Sequence, residues 1–93
     1  MSESVNKILK EASKLVVGDR GDDYGPPIID FTRTAKMWTG ILGAKLKEDI
    51  TPQEIGLCMI ALKMSREVHK HKLDNLVDIV GYAMTVQMVE DEL

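Results

Sequence analysis

The chain has 93 residues, of which 44% are hydrophobic and 29% charged, and a net charge of −3. That length makes residues 1–93 one domain, and charges of mixed order with no basic block exclude the electrostatic footprint of a duplex-DNA binder. Cys58 is the only cysteine, so no intrachain disulfide forms and a reducing, cytoplasmic setting is expected.

The N-terminus is polar, and no apolar run reaches the ~18 residues of a membrane span, so neither secretion nor a membrane role is expected. A chain this short buries only about 60–65% of its unfolded surface. Aromatics are scarce, with Phe31, Trp38, Tyr24 and Tyr82 the full set. A homo-oligomer is the expected remedy for so modest a core.

The first helix is predicted over 3–17. Val5, Ile8, Leu9, Ala12, Leu15 and Val16 recur at helical spacing and form one apolar stripe, and Gly18 is read as its C′ stop. Residues 18–29, GDRGDDYGPPII, read as a Gly/Pro/Asp-rich loop. Three glycines permit positive φ there, and Pro26-Pro27 forces extended backbone. Such a segment is either a ligand-binding loop or a stiff crossover between helices.

Asp30 is read as the N-cap of a second helix over 31–42, with Phe31, Ala35, Trp38, Ile41 and Leu42 on its apolar side and Gly43 as its stop. Thr51-Pro52-Gln53-Glu54 carries the signature of a capping box with proline at the first helical position. It opens a third helix over 52–69. Ile55, Cys58, Met59 and Leu62 are expected inward. Ile60, Ala61 and Met64 widen the apolar surface, so this helix should be covered on more than one side. After the polar His69-Lys70-His71-Lys72 connection, a fourth helix runs over 73–90 with Leu76, Val77, Val80, Ala83, Met84 and Met88 on its apolar face. The expected architecture is an all-α, compact bundle of about four helices.

Chemistry concentrates on the last two helices. Lys63 and Arg66 lie three residues apart and share a face, while Asp74, Asp78 and Tyr82 run along one side of the fourth helix. Buried carboxylates need neutralising, so one reading makes these four charges an interhelical ion-pair network with Asp74 as an N-cap. A second reading gives Asp74 and Asp78 to Mg²⁺, because carboxylates at i, i+4 converge and Mg²⁺ takes oxygen ligands. Only Glu54 and Glu67 could complete that set, from the two ends of the third helix. A third reading pairs Lys63, Arg66 and Arg20 with ligand phosphates, while Tyr24 or Trp38 stacks on a base. The candidate ligand set is then Arg20, Asp23, Tyr24, Trp38, Lys63, Arg66 and Tyr82, and it contains no catalytic group. His69 and His71 fall on different sides of a helix, which argues against zinc. Cys58 reads as a small hydrophobe, not a nucleophile.

The run Arg20-Gly21-Asp22-Asp23-Tyr24-Gly25-Pro26, then Phe31, Thr34, Ala35 and Trp38, then Ile50-Thr51-Pro52, resembles a family of small helical proteins encoded by bacteriophages and prophages. Lys63-Met64-Ser65-Arg66, Asp74-Asn75 and Asp78-Ile79-Val80-Gly81-Tyr82-Ala83 continue the resemblance, which spans roughly residues 18–86. The family is uncharacterised, so the resemblance implies a phage origin and not an activity. The chain is also distantly similar to helical domains of phage nucleotide metabolism.

These readings converge on a phage accessory protein that binds a small phosphorylated nucleotide without turnover, for example by sequestering a cyclic nucleotide immune signal in the host cytoplasm. No cofactor is expected. Two alternatives stand beside it. One is a Mg²⁺-dependent nucleotide pyrophosphohydrolase using Asp74 and Asp78. The other is an interaction module that inhibits a host protein through an exposed helix face.

Overall fold

The computed structural model describes residues 2–93. Ser2 opens helix α1 (Glu3–Ser13) as its N-cap, its hydroxyl accepting from the Val5 amide at 3.2 Å. The chain does not stop at Gly18 as the sequence predicts. It widens into a π-helical stretch, Lys14–Asp19, and continues as α2 (Arg20–Tyr24). The junction residues Lys14 and Arg20 are both right-handed helical, with φ/ψ of −59/−46° and −64/−41°. The result is one rod from Glu3 to Tyr24, about 33 Å long at 1.5 Å per residue.

Gly18 ends nothing because a C′ glycine acts through positive φ, and Gly25 is the only described glycine that adopts it. Gly25 has φ 78° and ψ −176°, a region essentially reserved for glycine. It breaks the rod, and Pro26 and Pro27 start the next helix. The expected twelve-residue loop therefore shrinks to Gly25-Pro26.

Helix α3 (Pro27–Leu42) has Pro26 as N-cap and proline at its first position, where no amide partner is lost. Asp30 lies inside the first turn and is not the cap. A short 3₁₀ turn, Gly43–Lys45, follows. Helix α4 (Pro52–His69) begins at the predicted capping box: Glu54 N–H donates to Thr51 Oγ1 at 3.3 Å, and Thr51 N–H donates to Glu54 Oε1 at 2.9 Å. Helix α5 (Leu73–Asp91) is capped by Lys72, with Asp74 inside its first turn. The all-α bundle is thus the observed fold, and no strand occurs among the described residues.

Helix α5 is the hub. It packs along α4 over most of its length, receives α1 and the π-helical stretch on another side, and touches α3, which lies mainly on α4. Phe31, Ala35, Ile55 and Val89 form the core, bordered by Ile28, Trp38, Ile50 and Tyr82. Gly56 lets α4 come close: a Cβ there would lie 2.4 Å from Val86 Cγ2 and 3.2 Å from Phe31 Cε2. Ala12, Val16 and Val77 are buried as well, and the position of a Gly81 Cβ lies 3.5 Å from Val16 Cγ2, so the rod sits on α5 at that glycine.

The bundle measures 46 × 30 × 20 Å. Its outer surface keeps many large apolar side chains, and on α4 the expected second covered side is open: Leu57, Met64 and Val68 are exposed. Cys58, expected inward, is exposed too. No helix among the described residues is long and apolar enough to cross a membrane.

Candidate functional site

A cleft of about 210 Å³ opens between the N-terminal rod and α5, lined by Leu15, Asp19, Arg20, Asp23, Tyr24, Asp78, Gly81, Tyr82 and Thr85. Its walls follow from helical spacing. Leu15, Asp19 and Asp23 lie four apart on the rod, and Asp78, Gly81, Tyr82 and Thr85 are one face of α5. Gly81 keeps the floor low. Thr85 Oγ1 is used internally, donating to the Tyr82 carbonyl at 2.8 Å.

Arg20 is the structural centre of this region. Its Nη2 donates to Asp30 Oδ2 at 2.7 Å, and both side chains are more than four-fifths buried. The guanidinium carbon lies 5.0 Å from the Phe31 ring centroid, 5.4 Å from Tyr24 and 5.8 Å from Tyr82, within cation–π range. Arg20 Nε is buried without a hydrogen-bond partner. The aromatic faces around the guanidinium supply the compensation that hydrogen bonds leave out.

Lys63 is similarly committed. Its Nζ meets Asp78 Oδ2 at 2.7 Å, tying α4 to α5. Of the interhelical network expected from Lys63, Arg66, Asp74 and Asp78, this one pair forms. Arg66 and Asp74 are exposed, and neither belongs to an ion pair among the described residues. Of the expected cations, Arg20 and Lys63 each have a carboxylate partner and Arg66 has none among the described residues. The geometry also fails to assemble the Mg²⁺ pair, because Lys63 holds Asp78 while Asp74 lies off the cleft. No cluster of three or more metal-ligating side chains occurs among the described residues.

Four of the seven candidate ligand residues, Arg20, Asp23, Tyr24 and Tyr82, meet at the cleft. Trp38 does not. It packs at the edge of the Phe31 cluster, where its apolar area serves α3. Asp19, Leu15, Gly81 and Thr85 were not anticipated. Their signal was present as the i, i+4, i+8 series 15, 19 and 23, and it was hidden by reading Gly18 as a helix end.

A second polar cluster holds the α4–α5 turn. Glu67 accepts from His71 Nδ1, from the Lys72 amide at 2.9 Å and from Asn75 Nδ2 at 3.2 Å. These bonds, the His71 contact first, hold its carboxyl below the usual range. Its orientation fixes the turn and lets Asn75 be buried.

The helices and the cleft between the N-terminal rod and α5 define a small all-α domain. The chain belongs to the family described as Domain of unknown function (DUF6378), whose model matches residues 7–90. It is 34% identical over 89 residues to the Gene 55 protein of Mycobacterium phage L5, covering 91% of this chain and 55% of that protein. It is 32% identical over 93 residues to the Gene 55 protein of Mycobacterium phage D29, covering 99% of this chain and 57% of that protein. The chain thus spans little more than half the length of these curated relatives. No solved structure matches.

Proposed function

We propose that this chain is a phage accessory protein that binds a small nucleotide in the cleft between the N-terminal rod and α5, without turning it over. The observation that carries the reading is the juxtaposition of Tyr24 and Tyr82 with the carboxylates of Asp19, Asp23 and Asp78 around one cleft. Aromatic rings give a base a stacking surface worth about 1–3 kcal/mol. Carboxylates accept from amino groups and sugar hydroxyls, which are donors. A space of about 210 Å³ is below the ~300 Å³ of a typical ligand pocket, so it suits the nucleoside part and leaves phosphates at the mouth.

We assign the phosphate contact to Arg66, which is not itself part of the cleft lining, because it is the expected cation left without a carboxylate. It lies one turn beyond Lys63 on α4, exposed and without a carboxylate partner among the described residues. A guanidinium grips phosphate in a bidentate fashion. Asp19 and Asp23 repel an anion pushed deep into the cleft, which also favours the base-inward pose. In this reading the working unit is a homo-oligomer in the host cytoplasm, and its ligand is a nucleotide signal of the host's antiviral defence. The pyrophosphohydrolase alternative has less support, because Lys63 occupies Asp78. The host-protein alternative is favoured by one observation, the apolar side chains on the outer face of α4.

Calorimetry against mono-, oligo- and cyclic nucleotides and their nucleosides tests the proposal. Saturable heat with at least one nucleotide, lost in Tyr24→Ala, with the ligand recovered unchanged, is the expected result. Silence across the panel ends it.

A further inference from the structure

We infer that the exposed face of α4 pairs with the same face of a second copy, antiparallel, about a two-fold axis between residues 62 and 63. Leu57, Ala61, Met64 and Val68 are spaced 4, 3, 4. That is the seam period of two packed helices, and it places all four on one stripe opposite the buried Ile55, Gly56 and Lys63 side. All four are exposed, Val68 to 89%. Cys58, about a quarter-turn round the helix from the stripe, is exposed as well. A helix that is apolar on both faces is normally covered on both, and within one chain α4 is covered on one.

The area argues for a copy of comparable size as the occupant. The chain exposes 6523 Å², about 1,100 Å² more than a folded monomer of its mass ordinarily shows. A standard interface covers roughly 600–1,000 Å² on each partner, so the surplus is of the size that one isologous contact covers. Charge sets the direction. Antiparallel pairing puts Leu57 opposite Val68 of the partner copy and Ala61 opposite its Met64. It also brings the Glu54 end of α4 against the Lys70-His71-Lys72 end of the other copy, acid to base and helix N-terminus to C-terminus. A parallel pair would stack each basic end on itself.

This inference deepens the homo-oligomer part of the proposed function and does not depend on the nucleotide. Sedimentation equilibrium at micromolar concentration should give twice the 10.4 kDa chain mass. Ala61→Glu and Met64→Lys should each give 10.4 kDa, because a charge is then forced into the seam with no partner. Each should keep its helical circular dichroism, since both positions are exposed in the single chain. The double variant Ala61→Glu/Met64→Lys should recover the dimer, because antiparallel register sets each new Glu against a new Lys.

A monomeric wild-type protein overturns both this inference and the oligomer reading. A dimer that survives both single variants overturns this face alone. Failure of the double variant to recover the dimer overturns the antiparallel register. Loss of helicity in either single variant overturns the premise that the face is open. Nucleotide titration of the Met64→Lys monomer keeps the cleft proposal separately testable, since Met64 does not line that cleft.

Discussion

Arg20 and Asp30 join two helices across the Gly25-Pro26 break, with 2.7 Å between Nη2 and Oδ2. Ten residues apart in sequence, they hold the end of the N-terminal rod against the first turn of α3. The pair spans the Gly25-Pro26 corner. A partly buried pair costs most when one member is removed and the other is left unmatched. Arg20→Met and Asp30→Asn should therefore each lower the unfolding free energy by about 2–3 kcal/mol, read by urea titration. Arg20→Lys should recover only part of the loss, since an ammonium cannot reproduce the planar stacking on Phe31, Tyr24 and Tyr82. Full recovery by lysine would show that charge alone matters here.

Two glycines hold for different reasons, and a third does not. Gly25→Ala forces a side chain into φ 78° and should cost about 1–3 kcal/mol. Gly56→Ala drives a Cβ to within 2.4 Å of the β-branched Val86, and overpacking of that kind costs about 1–3 kcal/mol. Gly18→Ala meets nothing within 4 Å and sits inside a helix. It should stabilise by about 0.5–1 kcal/mol. Melting temperatures of the three variants give the signs directly, and a destabilised Gly18→Ala would show that the π-helical stretch itself needs glycine.

Much of the fold was legible because local signals and tertiary packing agreed. The Thr51-Pro52-Gln53-Glu54 box marks the start of α4 at the right residue, whereas of the stripe predicted for the first helix Ala12 and Val16 are buried and Val5, Leu9 and Leu15 are exposed. The errors have a common cause, which is that a breaker residue was weighed without its neighbours. Gly18 looks like a stop, yet the rod is held straight through it by Ala12 and Val16 packing on α5, and tertiary contacts override propensity. The cleft was half legible for the same reason. Tyr24, Asp23 and Tyr82 stood out as residue types, whereas Asp19 and Leu15 needed the helix to be extended first. Trp38 has two readings in the sequence, a place on the apolar side of its helix and an aromatic surface for a ligand, and the first is the one that the packing of α3 on α4 selects.

Tyr24 separates fold from function. It is 56% exposed, so Tyr24→Ala removes little buried area, and its fold cost should stay within about 1 kcal/mol. Under the nucleotide proposal the same change should weaken binding about tenfold or more, as loss of one stacked ring does. Arg66→Ala should weaken phosphorylated ligands while leaving the matching nucleosides nearly unchanged. Equal losses for both ligand types would place Arg66 away from the phosphate.

Acid should loosen the α4–α5 turn first. Glu67 has its carboxyl held down by the His71 contact, then by the Lys72 amide, and Glu54 is lowered by its hydrogen bonds from the Thr51 backbone and hydroxyl. A carboxyl whose pKa is lower in the folded than in the unfolded chain binds its proton more readily when unfolded. The stability it contributes is therefore complete above the ordinary glutamate range, near pH 4–5, and disappears as pH falls through the lowered folded value. Unfolding free energy should decline below about pH 4.5. Glu67→Gln should flatten that decline while leaving the molecule less stable at neutral pH, because a neutral amide is a weaker acceptor for Lys72 and Asn75. Amide hydrogen exchange locates the effect: protection at Lys72 and through the first turn of α5 should fall in Glu67→Gln at pH 7 as it does in the wild type in acid. Protection that stays high there while the α1 amides open would move the acid-sensitive element to the N-terminal rod, away from the turn that Glu67 holds.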